Sequence, residues 1–436
     1  MLNLSITNKP KHSLKSSKHH VYPNGSLVDA ANKRPIIFAH DTAFVPGEER
    51  ISTHINEVKK YPERALLIAR SNKDTVLVNN LPDSSYVDYL NRIKVYPKEI
   101  ISFRSKDLTE GIKKDKHLKK SNFSYYSPYY SSIKDITAGK EITPNILGAP
   151  EDIVLKYYDK ASFKDICIQN NLPVAIGEVF EKTKSKENDR KKLIKLINKY
   201  ISKTGEVIIR ETGLAAGISL VFVNRNNIDE MSKKVISSDG NKYLVEVKEK
   251  IKASPSIIGY VTNNKVKILA QTSQLLDGNL MYLGNVIKYN KHINSKLYSY
   301  VKTISKSMIK DGYSGPFGID FIKTQDNRYL PVECNARITG AFYPHELRQR
   351  VLENGHRFNI SMSFTQKSKS YNSFKEFESN KEISNLLYKG DNQSGVVPFN
   401  VSMLQQGKFQ GIVLANTLEE AFTIKNRISK LISSKA

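Results

Sequence analysis

Short apolar runs and amphipathic segments alternate along most of the chain, and their periods predict an α/β protein. Residues 35–39 (Pro-Ile-Ile-Phe-Ala), 65–69 (Ala-Leu-Leu-Ile-Ala) and 75–78 (Thr-Val-Leu-Val) read as buried strands. The polar segments between them can form helices, which gives a small Rossmann-like domain over residues 34–149. Residues 1–33 are polar and basic without periodicity and read as a flexible tail. The tyrosine- and serine-rich stretch 121–132 reads as a surface loop. Beyond residue 150, Leu193, Ile197 and Tyr200 recur at helical spacing within a lysine-rich segment, the mark of an amphipathic helix with a solvated face. Strands follow at 207–210, 219–223 and 243–247. Asn263-Asn264, between apolar runs 257–261 and 266–269, predicts a hairpin turn. Leu297, Val301, Ile304 and Met308 share one face of a helix over 294–310, and the chain closes with a polar loop region (365–395) and an amphipathic helix near 418–432.

Composition narrows the class. A chain of 436 residues suits two or three domains, and 39% apolar with 25% charged residues is a soluble globular balance. No run approaches the ~20 apolar residues of a membrane span. The lysines near the start lack the apolar core of a secretory signal. Two cysteines, Cys167 and Cys334, exclude a disulfide framework and a cysteine-based zinc site and suit a reducing cytoplasm. The net charge of +25 attracts polyanions in principle. However, lysine is spread along the whole chain, and no zinc-finger, RNP-like or basic-zipper pattern accompanies it, so nucleic acid is not favoured as a partner.

One segment carries chemistry. Residues 318–337 (GIDFIKTQDNRYLPVECNAR) read as a hairpin with 325–328 as its loop. Pairing Thr324 with Tyr329 and continuing the register places Asp320 opposite Glu333, with side chains ~5 Å apart on one face. Asn335 and Arg337 follow Glu333 at period two and share that face. Two facing carboxylates repel unless a cation stands between them, and Mg²⁺ takes oxygen ligands of this kind together with nucleotide phosphates.

These residues resemble the ATP-grasp superfamily, whose second half carries an acidic residue on one strand and Glu-x-Asn on the next. The form Glu333-x-Asn335-x-Arg337 is similar to that of biotin-carboxylase-like members. The resemblance covers roughly residues 150–345. It implies a first lobe and lid over 150–243 and a second lobe with a C-terminal extension over 244–436, after a pre-ATP-grasp domain. Asp159-Lys160 before an amphipathic helix looks like the family's Asp-Lys helix, and implies that Lys160 contacts ATP phosphate. Arg210 ends a strand before Gly213 and Gly217, and implies a phosphate-binding cation beside a glycine-rich loop whose backbone can approach phosphate closely. Leu244-Val245-Glu246-Val247 resembles the strand that lines adenine, with the Glu246 carbonyl and the Val247 N–H facing the base. His40-Asp41, Pro46-Gly47-Glu48, Ser254-Pro255-Ser256 and Ala341-Phe342-Tyr343-Pro344 make the chain look most like the ligases of pheganomycin-type peptide biosynthesis.

Two departures sharpen what the resemblance implies. Biotin carboxylases follow this arginine with a Val-Glu-His sequence that supplies a base, whereas Ile338-Thr339-Gly340-Ala341 stands here, which favours an amine acceptor over bicarbonate. Ala253-Ser254-Pro255 replaces the Gly-x-Glu whose acid binds ribose in many members, leaving Glu249 as a substitute. The expectation is therefore an ATP- and Mg²⁺-dependent ligase that activates a small-molecule carboxylate as an acyl phosphate and joins it to an amine, with amino acids or peptides as substrates. Asp320, Glu333 and Asn335 are the expected metal ligands, and Arg337 is the expected catalytic residue. The alternatives are a nucleotide-binding regulatory protein without turnover and a polyanion-binding protein. A homodimer is compatible with the sequence.

Overall fold

The computed structural model describes residues 21–32, 35–40, 60–70, 73–102, 122–125, 145–183, 185–213, 220–262 and 264–433. Its first part is a parallel sheet of β1 (Ile36–Ala39), β2 (Thr75–Val78), β3 (Glu99–Ser102), β4 (Asn122–Tyr125) and β5 (Asn145–Ile146), in the order β3-β2-β1-β4-β5. The unbroken apolar run of β1 is buried throughout, as suits the central strand of a parallel sheet. Strand order reverses between β1 and β4, the switch point at which open α/β sheets form a crevice.

Three expectations fail in this region. Residues 65–69 are not a strand, because a 3-10 segment, Tyr61–Leu67, begins with Pro62 near its start and buries Ala65, Leu66 and Leu67. A short apolar run buried on all sides has no period that separates the two states. The expected basic tail ends in structure: helix α1 (Leu27–Ala31) is capped by Ser26 and buries Leu27, Val28, Ala30 and Ala31. The Leu27 N–H donates to Glu346, 2.6 Å away across the chain. Residues 122–125 of the expected surface loop form β4, with Phe123 buried between two neighbouring strands. The rest of that stretch lies outside the described residues, as do residues 41–48.

Helices α2 (Glu151–Tyr158) and α3 (Lys160–Gln169) lead into an antiparallel sheet of β6 (Gly177–Glu181), β7 (Glu206–Glu211), β8 (Val221–Asn224) and β9 (Lys242–Val247), ordered β6-β9-β7-β8. Helix α4 (Lys186–Thr204) turns Leu193, Ile197 and Tyr200 inward onto this sheet, and Gly205 at φ 82° ends it in the left-handed conformation. Helix α5 (Ile228–Ser237) packs beside it.

The remaining strands are β10 (Ile251–Ala253), β11 (Pro255–Thr262), β12 (Lys265–Leu276), β13 (Tyr282–Lys288), β14 (Gly315–Thr324), β15 (Tyr329–Asn335), β16 (Ile360–Lys367), β17 (Gly395–Pro398) and β18 (Lys408–Ala415). They form one nine-stranded sheet, in the order β10-β14-β11-β12-β13-β16-β18-β17, with β15 on the outer side of β14. The expected hairpin joins β11 to β12, with Asn264 at φ 57°. Helix α6 (Ser295–Lys310) buries Leu297, Val301, Ile304 and Met308 as its spacing predicts. Helix α7 (Phe342–Glu353) follows the hairpin of β14 and β15, and α8 (Leu418–Ile432) closes the chain. The expected loop over 365–395 instead contains two short helices, Phe374–Ser379 and Lys381–Ser384, which bury Phe374, Phe377 and Ile383. Among the described residues no helix is long and apolar enough to cross a membrane.

Candidate active site

Strands β14 and β15 place Asp320 opposite Glu333 and Gly318 opposite Asn335. The route to that register differs from the expected one. Nearer the turn Lys323, not Thr324, faces Tyr329, and a shift between Asp320 and Phe321 leaves Val332 as the extra residue. This bulge also turns the Val332 carbonyl toward Arg210, whose Nη1 donates to it at 3.0 Å.

On the shared face Asn335 Nδ2 donates to Asp320 Oδ2 at 3.1 Å. Glu333 Oε1 is buried without a hydrogen bond, and its contact with Lys160 Nζ is a loose ion pair at 3.5 Å. Burial, and then the Glu333 charge, push the Asp320 carboxyl up to about 6 against the pull of Ser256, Arg337 and Gln274. The atoms that Asp320, Glu333 and Asn335 could offer a metal are all oxygens, one carboxylate oxygen is buried without a hydrogen bond, and two acids face each other. That set fits a hard divalent cation such as Mg²⁺.

A second charged cluster sits on the smaller antiparallel sheet. Glu246 is buried on β9, yet both its oxygens are paired. Lys164 Nζ donates to Oε1 at 2.8 Å, and Arg210 donates to Oε2 through Nε at 3.0 Å and Nη2 at 2.6 Å. Burial alone would raise this carboxyl, but Arg210 and Lys164 outweigh it and hold Glu246 below the usual carboxylate range. The arrangement depends on Gly177, which pairs with Glu246 in β6. A Cβ there would lie 2.3 Å from the Val245 oxygen and 2.6 Å from Glu246 Cγ. The missing side chain lets Lys164 reach both Glu246 and the Gly177 carbonyl, 3.3 Å away.

Lys160, Arg210, Glu246, Val247, Asp320, Glu333, Asn335 and Arg337, all singled out from sequence, line one cleft of about 500 Å³ between the two antiparallel sheets. Helix α3 brings Lys160 in, with Asp159 capping its first turn by accepting from the Ser162 N–H at 2.8 Å. Arg337 is buried, donates to the Ile338 carbonyl at 3.1 Å and lies 5.8 Å from the centre of the Tyr158 ring. The Val247 N–H donates to the Ile176 carbonyl at 2.8 Å, so the donor expected to face a base is engaged within the protein. Glu249 pairs with Arg328 at 3.0 Å. Gly213 is not among the residues lining the cleft, and Gly217 lies outside the described residues.

Sequence reasoning missed Lys164, which stands one helical turn after Lys160 on the same face and was findable by that spacing. Ser256 was singled out only within the Ser254-Pro255-Ser256 motif and given no role at the site; the pairing of β11 with β14 places it opposite Asp320.

Residues 196–341 match the family model described as an ATP-grasp domain. No curated protein matches the chain. Similar solved structures include an ADP complex of N5-carboxyaminoimidazole ribonucleotide synthetase, at 12% identity and TM-score 0.53, covering 90% of this chain and 94% of that one. The N5-carboxyaminoimidazole synthase of Aspergillus clavatus, with ADP and 5-aminoimidazole ribonucleotide, has 12% identity and TM-score 0.53 over 92% of this chain and 99% of that one. A biotin carboxylase complex from Campylobacter jejuni has 11% identity and TM-score 0.54 over 91% and 90%. At such identities it is the fold that is shared. The chain therefore has the ATP-grasp fold, and its residues 196–341 correspond to an ATP-grasp domain.

Proposed function

We propose that this chain is an ATP-dependent ligase, which activates a carboxylate as an acyl phosphate and joins it to an amine, releasing ADP and phosphate. The observation that carries the reading is the facing of Asp320 and Glu333 beside Asn335 in the cleft. These three residues would hold Mg²⁺, and the chemistry supplied by the bound ion is neutralisation of charge at the terminal phosphates of ATP. Lys160 adds fixed positive charge at the same end of the cleft. Arg210 is tied to Glu246 and to the Val332 carbonyl, so it contributes its charge while fixing one sheet against the other. Glu246 and Val247 would line the adenine without the Val247 N–H, which stays with the Ile176 carbonyl, and Gly213 and Gly217 would supply a glycine-rich segment for the triphosphate. Arg337 orients the reacting carboxylate and stabilises the oxyanion that forms when the amine attacks. Residues 338–341 place no carboxylate base after Arg337, which favours an amine over bicarbonate as acceptor. An amino acid or peptide-like acid, in the manner of the pheganomycin-type ligases, is the substrate class we infer, and the cytoplasm is the compartment.

The two products of ATP cleavage test this. A metal and cations at the terminal phosphates favour attack at the γ-phosphorus. Carboxylate-dependent ADP release that needs Mg²⁺, with hydroxylamine trapping the activated acid as a hydroxamate, is the expected result in a screen of amino acids and small peptides. Carboxylate-dependent AMP and pyrophosphate would overturn the mechanism.

A further inference from the structure

Among the described residues other than glycine, those with a positive φ are five asparagines, Lys94 and Leu280, the last at φ 62°. A large apolar side chain is the unfavourable choice there, because its Cβ crowds the backbone in the left-handed region. Leu280 lies in the turn that joins β12 to β13. Gly278 and Asn279, residue types that take this conformation readily, stand at the two positions before it. Hydrogen bonds lock the turn in this form. Asp277 Oδ1 accepts from the Asn279 and Met281 N–H groups, both at 2.8 Å. The Leu280 N–H donates to the Asp277 carbonyl at 3.1 Å, and the Asp277 N–H to the Met281 carbonyl at 3.0 Å.

The strained backbone places a side chain. Leu280 lines the cleft with Leu276 and Tyr282, and neither leucine belongs to a hydrophobic core or packs against one. Leu276 pairs with Tyr282, because a bulge at Leu283 keeps both on the face that carries Gln274 and Asn285. The polar groups of that face are committed to one another. Asn285 accepts from Thr272 at 3.0 Å and donates to the Tyr282 hydroxyl, and Gln274 hydrogen-bonds to Asp320. Apolar surface is what this wall offers a ligand.

The pairing registers fix where the wall stands. Asp320, Ser256 and Thr272 form one row across β14, β11 and β12, and Leu276 is four positions further along β12, roughly 13 Å at ~3.4 Å per residue. Beside it runs the segment that follows Arg337. Tyr282 approaches Gly340 so closely that a Cβ there would lie 2.5 Å from its hydroxyl.

We infer that Leu276, Leu280 and the Tyr282 ring form a specificity pocket for an apolar side chain on the acid that reacts at Arg337, with leucine- or phenylalanine-like acids preferred to small or charged ones. The inference rests on the ligase reading for the reaction, and binding alone also judges the pocket.

The test pairs turnover with binding. Hydroxamate formation is measured for leucine, phenylalanine, alanine, serine and aspartate with hydroxylamine as the common acceptor, so that only the acid varies. Leucine or phenylalanine should exceed alanine by about tenfold or more in kcat/KM, the scale on which apolar pockets discriminate by methylene groups. Leu280→Asn keeps the size, relaxes the backbone and makes the wall polar. It should melt no lower than the wild type while the leucine-to-alanine ratio collapses toward unity. Leu280→Gly, which relaxes the backbone and removes the side chain, should lose the same selectivity. Equal use of all five acids, a preference that survives both substitutions, or a melt lowered in both variants would overturn the inference and leave the ligase reading standing. A loss of ATP affinity in place of acid selectivity would assign the wall to the nucleotide and overturn it too. If no acid is activated, the ligase reading fails. Calorimetric titration with leucine and alanine, in the presence of Mg²⁺ and a non-hydrolysable ATP analogue, then decides the pocket alone. Tighter leucine binding that Leu280→Asn abolishes supports it, and equal or absent binding overturns it.

Discussion

Two clusters of acids, Glu246 buried and the pair Asp320 and Glu333 partly buried, face the same cleft and are built in opposite ways. Glu246 has both oxygens taken by Lys164 and Arg210, and its carboxyl is held below the ordinary range. Asp320 and Glu333 face each other across a hairpin, with one amide bonded to Asp320 and one lysine loosely paired to Glu333, and Asp320 is pushed up. The first cluster is balanced by the protein and joins helix α3, two strands of one sheet and the bulge of another. The second is left for a cation to balance. In one cleft, then, the same residue type serves as architecture where its partners are built in and as a ligand set where they are not.

Removing a balanced charge should cost the most. Glu246→Ala leaves Lys164 and Arg210 buried without their partner, a situation that destabilises by about 3–5 kcal/mol. Urea unfolding of the purified variant checks this. A loss below about 1 kcal/mol would mean that the two cations find other partners, and the contrast between the clusters would collapse.

The hairpin acids should show the reverse pattern. Glu333→Gln keeps the shape but removes one ligand charge, so turnover should fall at least ~100-fold, the upper end of what supporting groups around a metal cost. Metal-free stability should stay the same or rise, because the repulsion at Asp320 is relieved. Steady-state ADP release, read beside a thermal melt in EDTA, separates the two quantities. Wild-type turnover, or a melt as damaged as that of Glu246→Ala, would place Glu333 with the structural acids.

The contrast was half visible in the sequence. The pairing of Asp320 with Glu333 follows from strand alternation and loop length, both local. It came out right although the pairing beside the turn is offset by one residue, because the bulge at Val332 restores the register. The buried face of α6 was legible for the same local reason. The pairing of Glu246 was not, since it depends on Gly177 standing opposite in β6 and on Lys164 arriving from α3, and no short-range pattern encodes that register. The 3-10 segment at residues 61–67 was misread because an apolar run buried on every side has no period. Helix α1 was missed because five residues are too few to show one. Leu280 escaped as one leucine among many, and only the fold brings it to the cleft.

The smallest expected effect distinguishes the clusters by the sign of their pH dependence. Asp320 has a folded value of about 6 against an ordinary 3.8, so between roughly pH 4 and 6 the folded state of the metal-free protein binds more protons than the unfolded one. Its contribution therefore weakens stability as pH rises through that window, by about 1 kcal/mol once its partial exposure is allowed for. Glu246 works the other way. Held low when folded, it adds stability above its unfolded value and loses it as pH falls toward the folded one. In EDTA, Asp320→Asn should thus gain stability relative to wild type at pH 6.5 and little at pH 4, while Glu246→Gln should be most damaging at pH 6.5 and less so in acid. Parallel unfolding curves at the two pH values measure both differences. If the two variants shifted with the same sign, the acids would share one environment, and the division between a balanced cluster and a ligand set would be wrong.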